Sequence, residues 1–120
     1  MTKVLVVEDS PLNVDLVVEM LNSVGFMTET AVDGEEAVMK AEKEVYDLVI
    51  MDIELPCMDG VEAAKIIRTI PGYEKTDIIA LTAYAMKGDR ERFLAEGFDE
   101  YVSKPVNVDD FIELMKKYRR

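Results

Sequence analysis

The sequence predicts a doubly wound α/β fold, a five-stranded parallel sheet in the order 2-1-3-4-5 flanked by five helices. Three observations lead there. Short, nearly continuous apolar runs recur along the chain, as in parallel strands covered on both faces. Amphipathic stretches with helix start and stop signals separate them. Two further strand-like segments are more polar, which suits the edges of such a sheet. The order rests on that division into three central and two edge strands.

The first strand is Lys3–Val7 (KVLVV). Ser10 then offers an N-cap and Pro11 suits the first turn of a helix that ends near Gly25. On it, Leu16, Val17, Met20, Leu21 and Val24 form a stripe for the core, with Leu12, Val14 and Val18 on its flanks. Met27–Val32 (MTETAV) is the first edge strand, and a second helix spans Gly34 to Lys43. Asp47–Asp52 (DLVIMD) and Asp77–Thr82 (DIIALT) are central strands. Between them a third helix follows Gly60 and stops before Pro71-Gly72. A fourth helix lies between Met86 and Glu96, with Gly97 placed to end it. Asp99–Ser103 (DEYVS) is the second edge strand. Asn107 caps the last helix, which carries Phe111, Ile112 and Met115 on one face.

With 120 residues, 49% of them apolar, the chain fits one domain spanning 1–120 and one ordinary core. No run of about 18 apolar residues exists, and the N-terminus lacks the pattern of a signal peptide. The single cysteine, Cys57, cannot close an internal disulfide and reads as a loop residue, so a cytoplasmic location is expected. A formal net charge of -11 disfavours nucleic acid as a partner. The one basic cluster, Lys116-Lys117-Tyr118-Arg119-Arg120, reads as favourable charge at a helix C-terminus. The chain contains no histidine, so a Ser-His-Asp triad, a phosphohistidine and a His-ligated metal are excluded. Chemistry must run on carboxylates, hydroxyls and lysines.

Ligands of such sheets bind outside the carboxyl ends of the strands, near the switch in strand order. There the sequence puts Glu8-Asp9 after strand one, Asp52 at the end of strand three, Thr82 at the end of strand four and Lys104-Pro105 after strand five. Singly, each has an ordinary reading as cap, turn or solvated loop. Jointly they predict a pocket in which three carboxylates repel one another, which raises their pKa values or requires a cation. With only oxygen ligands on offer, Mg²⁺ is the natural choice, with Mn²⁺ as a substitute. Lys104 adds a fixed positive charge.

These residues carry a resemblance. Val6-Val7-Glu8-Asp9-Ser10, Asp52-Ile53-Glu54-Leu55-Pro56-Cys57-Met58-Asp59-Gly60, Leu81-Thr82-Ala83-Tyr84-Ala85 and Tyr101-Val102-Ser103-Lys104-Pro105 match, in order and spacing, the CheY-like receiver domain of two-component response regulators. The chain resembles that family along essentially its whole length, and Ala83 to Asp89 looks like the single-domain regulators of the DivK type. The resemblance implies a phosphoryl group accepted on Asp52 from a phosphohistidine of a sensor kinase or phosphotransfer protein. It implies Mg²⁺ held by Glu8, Asp9, Asp52 and the backbone carbonyl of Glu54. It assigns Thr82, Ala83 and Lys104 to the phosphoryl oxygens, and Thr82 and Tyr101 to a switch read on the face of helix four, strand five and helix five. It also implies a cis Lys104–Pro105 bond. Asp59 and Met58 read as structural, Pro56 as shaping the turn after Asp52, and Gly60 as allowing a tight entry into helix three.

Glu54, two residues after Asp52, departs from the Met, Gln or Asn common there, and Tyr84 sits at the rim; both bear on access of hydrolytic water. Flanking apolar residues of the first helix, Leu12, Val14 and Val18, either widen the core face or dock a histidine-bearing helix. The chain stops after the fifth helix, so its output is expected to be contact with a downstream protein, as a monomer or a phosphorylation-dependent dimer, or relay of phosphate to another histidine. Two other readings compete. A haloacid-dehalogenase-like Mg²⁺-dependent phosphatase would carry its nucleophile on strand one with an Asp two residues on, whereas here the nucleophile candidate is on strand three and is followed by Glu54. A phosphorylation-independent interaction module of the same fold would not need the full set Glu8, Asp9, Asp52, Thr82 and Lys104.

Overall fold

A computed structural model describes residues 2–56, 58–83 and 89–118. Its elements alternate: β1 (Lys3–Val7), α1 (Pro11–Ser23), β2 (Met27–Ala31), α2 (Gly34–Lys43), β3 (Leu48–Asp52), α3 (Gly60–Arg68), β4 (Asp77–Thr82), α4 (Asp89–Ala95), β5 (Glu100–Ser103) and α5 (Val108–Lys116). All strand pairs are parallel, in the order β2-β1-β3-β4-β5. The expected strands two, three and five are each trimmed by one residue. The expected start of the fourth helix at Met86 lies outside the described residues, as do Cys57, Tyr84, Arg119 and Arg120.

Side chains alternate along the central strands, which is how one sheet supports two cores. Leu5, Val7, Val49, Met51, Ile78 and Ala80 face the layer of α2, α3 and α4, where Ala37, Ala41, Ala63, Ala64, Ile67 and Phe93 meet them. Val4, Val6, Leu48, Ile50, Ile79 and Leu81 face α1 and α5, through Val17, Met20, Leu21, Phe111 and Met115. The strands are thus apolar on both faces, the physical reason for their unbroken hydrophobic runs. β2 and β5 are partly exposed, as their polarity anticipates.

Two details of α1 differ from expectation. Ser10 holds the N-cap position with extended backbone, but its side chain makes no capping bond. Its carbonyl accepts from Val14 N, and Pro11 at the first helical position removes one of the free N–H groups of this helix end. Leu16 is 38% exposed rather than core, because the stripe of Val17, Met20, Leu21 and Val24 already covers the sheet. Leu12 is 82% exposed, while Val18 packs against the core edge. Asp33, Asp59 and Asn107 cap α2, α3 and α5 through bonds to Glu36 N, Glu62 N and Asp110 N. Gly97, at φ +102°, closes the α4 end in the left-handed conformation that glycine tolerates.

The far end of the sheet is held by Arg68. Its guanidinium donates to the carbonyls of Gly97, Tyr73 and Thr76 and pairs with Asp99 at 2.5 Å. This ties α3 to the turns that lead into β4 and β5.

Candidate functional site

The site forms because the ladder continues past the strand ends. Glu8 N donates to Ala31 O, Ile53 N to Leu81 O and Lys104 N to Thr82 O, at 3.0, 2.9 and 2.8 Å. These bonds fix the residues just beyond β1, β3 and β5 around the end of Asp52. The bend after β3 depends on close backbone approach. A Cβ on Gly60 would lie 2.2 Å from Asp52 O and 2.8 Å from Ile53 Cα, so only glycine lets α3 start there.

Glu8, Asp9 and Asp52 each offer an oxygen, and these oxygens all lie within 4.8 Å of one another. Glu8 and Asp52 are each 1% exposed, while Asp9 is open to solvent. Lys104 Nζ lies 3.0 Å from Asp52 Oδ1 and 3.3 Å from Glu8 Oε2. The Lys104–Pro105 bond is cis. Glu8 Oε1 accepts from Ser10 N and from Asn13 Nδ2. Among the described residues, Glu8 Oε2 accepts no hydrogen bond although it is buried, and Lys104 Nζ lies 3.3 Å away.

One lysine therefore faces two buried carboxylates. Burial pushes the Asp52 carboxyl above the ordinary aspartate range, Glu8 beside it adds to that, and Lys104 opposes both. For Lys104, burial pushes the amine down, but Asp52 and Glu8 together outweigh it and hold the ammonium. A cluster with surplus negative charge, hard oxygen donors only, and one buried oxygen without a hydrogen bond fits a small divalent cation.

The remaining site residues close the rim. Thr82 is buried, and its Oγ1 donates to Glu54 Oε2 at 2.7 Å; the exposed Ala83 donates its N–H to Glu54 Oε1 at 2.9 Å. Glu54 N in turn donates to Asp52 Oδ1 at 3.0 Å. Tyr101 is half-buried on β5, its ring 5.4 Å from that of Phe93 on α4. Glu8, Asp9, Asp52, Glu54, Thr82, Ala83 and Lys104 thus lie around the carboxyl edge of the sheet, with Tyr101 farther back on β5; Cys57 and Tyr84 are outside the described residues. Two partners were not legible. Asn13 supports Glu8 from α1, and the Glu54 side chain, rather than only its backbone, enters the site. Asn13 leaves no signal in the sequence beyond its position; Glu54 stands out there as an unusual residue, but the direction of its side chain does not.

The fold and pocket define a class: a doubly wound domain with an acidic, lysine-bearing pocket at its carboxyl edge. The model of the response regulator receiver domain matches residues 4–116, and the chain belongs to that family. It is 40% identical over 119 residues to the polar-differentiation response regulator DivK of Brucella ovis, covering 98% of this chain and 97% of that protein. It is 42% identical over 119 residues to hybrid signal transduction histidine kinase G of Dictyostelium discoideum, covering 97% of this chain but 4% of that protein, so the chain spans a small part of that relative's length. Among solved structures it is similar to the receiver domain of sensor histidine kinase PA1611 from Pseudomonas aeruginosa, with TM-score 0.87 and 37% identity over 98% of this chain and 96% of that one. That structure holds a magnesium ion coordinated in its active site cleft. Among the described residues of the present chain, no helix is long and apolar enough to cross a membrane.

Proposed function

We propose that Asp52 accepts a phosphoryl group from the phosphohistidine of a sensor kinase or phosphotransfer protein, and that its phosphorylation is a signal read by another protein. One observation carries the reading: the buried Asp52 carboxylate has Lys104 Nζ at 3.0 Å and the oxygens of Glu8 and Asp9 within 4.8 Å. An Asp52 oxygen attacks phosphorus in line, and the P–N bond of the donor breaks with its electron pair returning to the imidazole. Lys104 neutralises charge on the acceptor before transfer and on the phosphoryl group after it. Glu8, Asp9, Asp52 and the backbone carbonyl of Glu54 would hold Mg²⁺, or Mn²⁺ in its place. When bound, the cation neutralises phosphoryl oxygens and brings donor and acceptor together despite their like charge.

Thr82 Oγ1 and Ala83 N–H serve the phosphoryl oxygens of the product. Thr82 and Tyr101 then couple the site to the face of α4, β5 and α5, whose preference among protein targets shifts with the charge on Asp52. The donor docks on α1. There Leu12 is exposed, and Leu16 lines a cleft of about 310 Å³ with Asn13, Val17, Ala83 and Lys104. We assign the switch to the cytoplasm and read it as a stoichiometric acceptor rather than a turnover enzyme.

The test is transfer from a ³²P-labelled phosphohistidine protein, with Mg²⁺ and with chelator, followed by recovery of the label. The reading expects label on wild type with Mg²⁺, and none on Asp52→Asn or with chelator. Equal labelling of Asp52→Asn would contradict it.

A further inference from the structure

The Glu54 side chain has no part in the transfer just described, yet it takes both donors assigned there to the phosphoryl group. Its Oε2 accepts from Thr82 Oγ1 at 2.7 Å and its Oε1 accepts from Ala83 N at 2.9 Å. The root of this side chain is fixed, because Glu54 N donates to Asp52 Oδ1 at 3.0 Å. A planar carboxylate with a donor on each oxygen presents the charge and acceptor pattern of two phosphoryl oxygens. The threonine hydroxyl has one hydrogen and the backbone amide has one. Neither can serve Glu54 and a phosphoryl group fully at the same time, so the two anions compete for one place.

We propose that Glu54 is a tethered anion seated in the phosphoryl-oxygen site, and that phosphorylation of Asp52 requires its carboxylate to leave Thr82 and Ala83. This rests on the reading of Asp52 as phosphoacceptor, and it makes Glu54 a positioning residue that sets the threshold of the switch. In the step itself, a bond forms between an Asp52 oxygen and phosphorus. The bond from phosphorus to the leaving group breaks, and the electron pair departs with that group. As the acyl phosphate forms, its oxygens take the Thr82 hydroxyl and the Ala83 amide, and the half-buried Glu54 side chain turns outward. Glu54 opposes the step twice, by occupying the donors and by placing negative charge beside an anionic reagent. A small donor brings no docking energy with which to displace it.

The experiment follows Asp52 phosphorylation by acetyl phosphate and Mg²⁺ through intact mass against time. It compares wild type, Glu54→Gln, Glu54→Ala, Thr82→Ala and the double variant Glu54→Ala/Thr82→Ala. Loss of one charge-assisted competitor should raise the rate about tenfold in Glu54→Ala, equivalent to about 1.4 kcal/mol. Glu54→Gln, which keeps one acceptor and no charge, should fall between. The double variant should lose the gain. A purely structural role for Glu54 would not move a second readout: the Ala83 amide proton of the unphosphorylated protein should shift upfield in Glu54→Ala and return downfield once Asp52 is phosphorylated. Wild type modified on Asp52 as fast as both folded Glu54 variants would overturn the proposal and leave the acceptor assignment standing. Absence of Asp52 modification in every protein, including wild type, would overturn both.

Discussion

Replacing Asp52 by Asn should make the metal-free protein more stable. Asp52 is 1% exposed and, among the described residues, shares one lysine with Glu8. At an effective dielectric constant of about 20, Lys104 at 3.0 Å attracts the carboxylate by about 5.5 kcal/mol. Glu8, with its oxygen within 4.8 Å, repels it by at least about 3.5 kcal/mol, and the solvent-screened Asp9 adds part of a similar amount. The Coulomb contributions nearly cancel, which leaves the desolvation of a buried charge uncompensated. An asparagine keeps the shape, still accepts from Glu54 N and Lys104, and can donate to Glu8. A net gain of about 2 kcal/mol is expected after relaxation. An unfolding entropy of about 2.1 cal/mol/K per residue converts this to a rise in Tm of about 8 °C.

The sign of the pH dependence agrees. The Asp52 carboxyl titrates higher in the folded chain than in the unfolded one, so the folded state holds the proton over a range where the unfolded state has released it. Stability contributed by this group therefore falls as pH rises through that range, and the charge cost is complete above it. The assay is thermal unfolding in chelator, then in Mg²⁺ at about 100 times its Kd, which should add about 2.7 kcal/mol to wild type and little to the variant. An Asp52→Asn protein less stable than wild type in chelator would refute the claim that surplus charge strains this pocket.

Three further expectations come from named contacts. Lys104→Met removes the cation that pairs with two buried carboxylates and should cost about 2–3 kcal/mol in chelator, with Mg²⁺ restoring most of it; urea unfolding in both conditions checks this. Gly60→Ala drives a Cβ to 2.2 Å from Asp52 O and should cost about 3 kcal/mol by urea unfolding, with loss of Mg²⁺ affinity as the strand end is displaced. Arg68→Lys cannot reproduce a fork that reaches Gly97, Tyr73, Thr76 and Asp99 at once, so a loss of about 2 kcal/mol is expected in thermal unfolding, with the site's Mg²⁺ affinity unchanged.

The architecture was readable because it depends on patterns that survive in one dimension. LVIM in β3 and IIAL in β4 are apolar on both faces, and Asn107 occupies a cap position that local geometry determines. The pocket was readable for a similar reason, since β-strand ends fix where Glu8, Asp52, Thr82 and Lys104 arrive. Side-chain direction was less accessible. Leu16 falls on the apolar stripe of α1 yet lies beside the cleft near Lys104, because Val17, Met20, Leu21 and Val24 already cover the sheet. Glu54 was visible as an unusual residue, but which way a long, flexible carboxylate turns is decided by donors 28 and 29 residues away in the chain. Ser10 carries a cap residue's identity without making a capping bond, since Pro11 and the neighbouring Glu8 change what its surroundings need.

The central claim is that Asp52 is the acceptor and that a divalent cation is needed for it to act. The most direct measurement is intact mass and peptide mapping after incubation with acetyl phosphate, with Mg²⁺ or with chelator. The account predicts one added phosphoryl group on wild type in Mg²⁺, lost in chelator and in Asp52→Asn, and mapped to the peptide that contains Asp52. A phosphoryl group mapped to any other residue, or present at full level in Asp52→Asn, would contradict it.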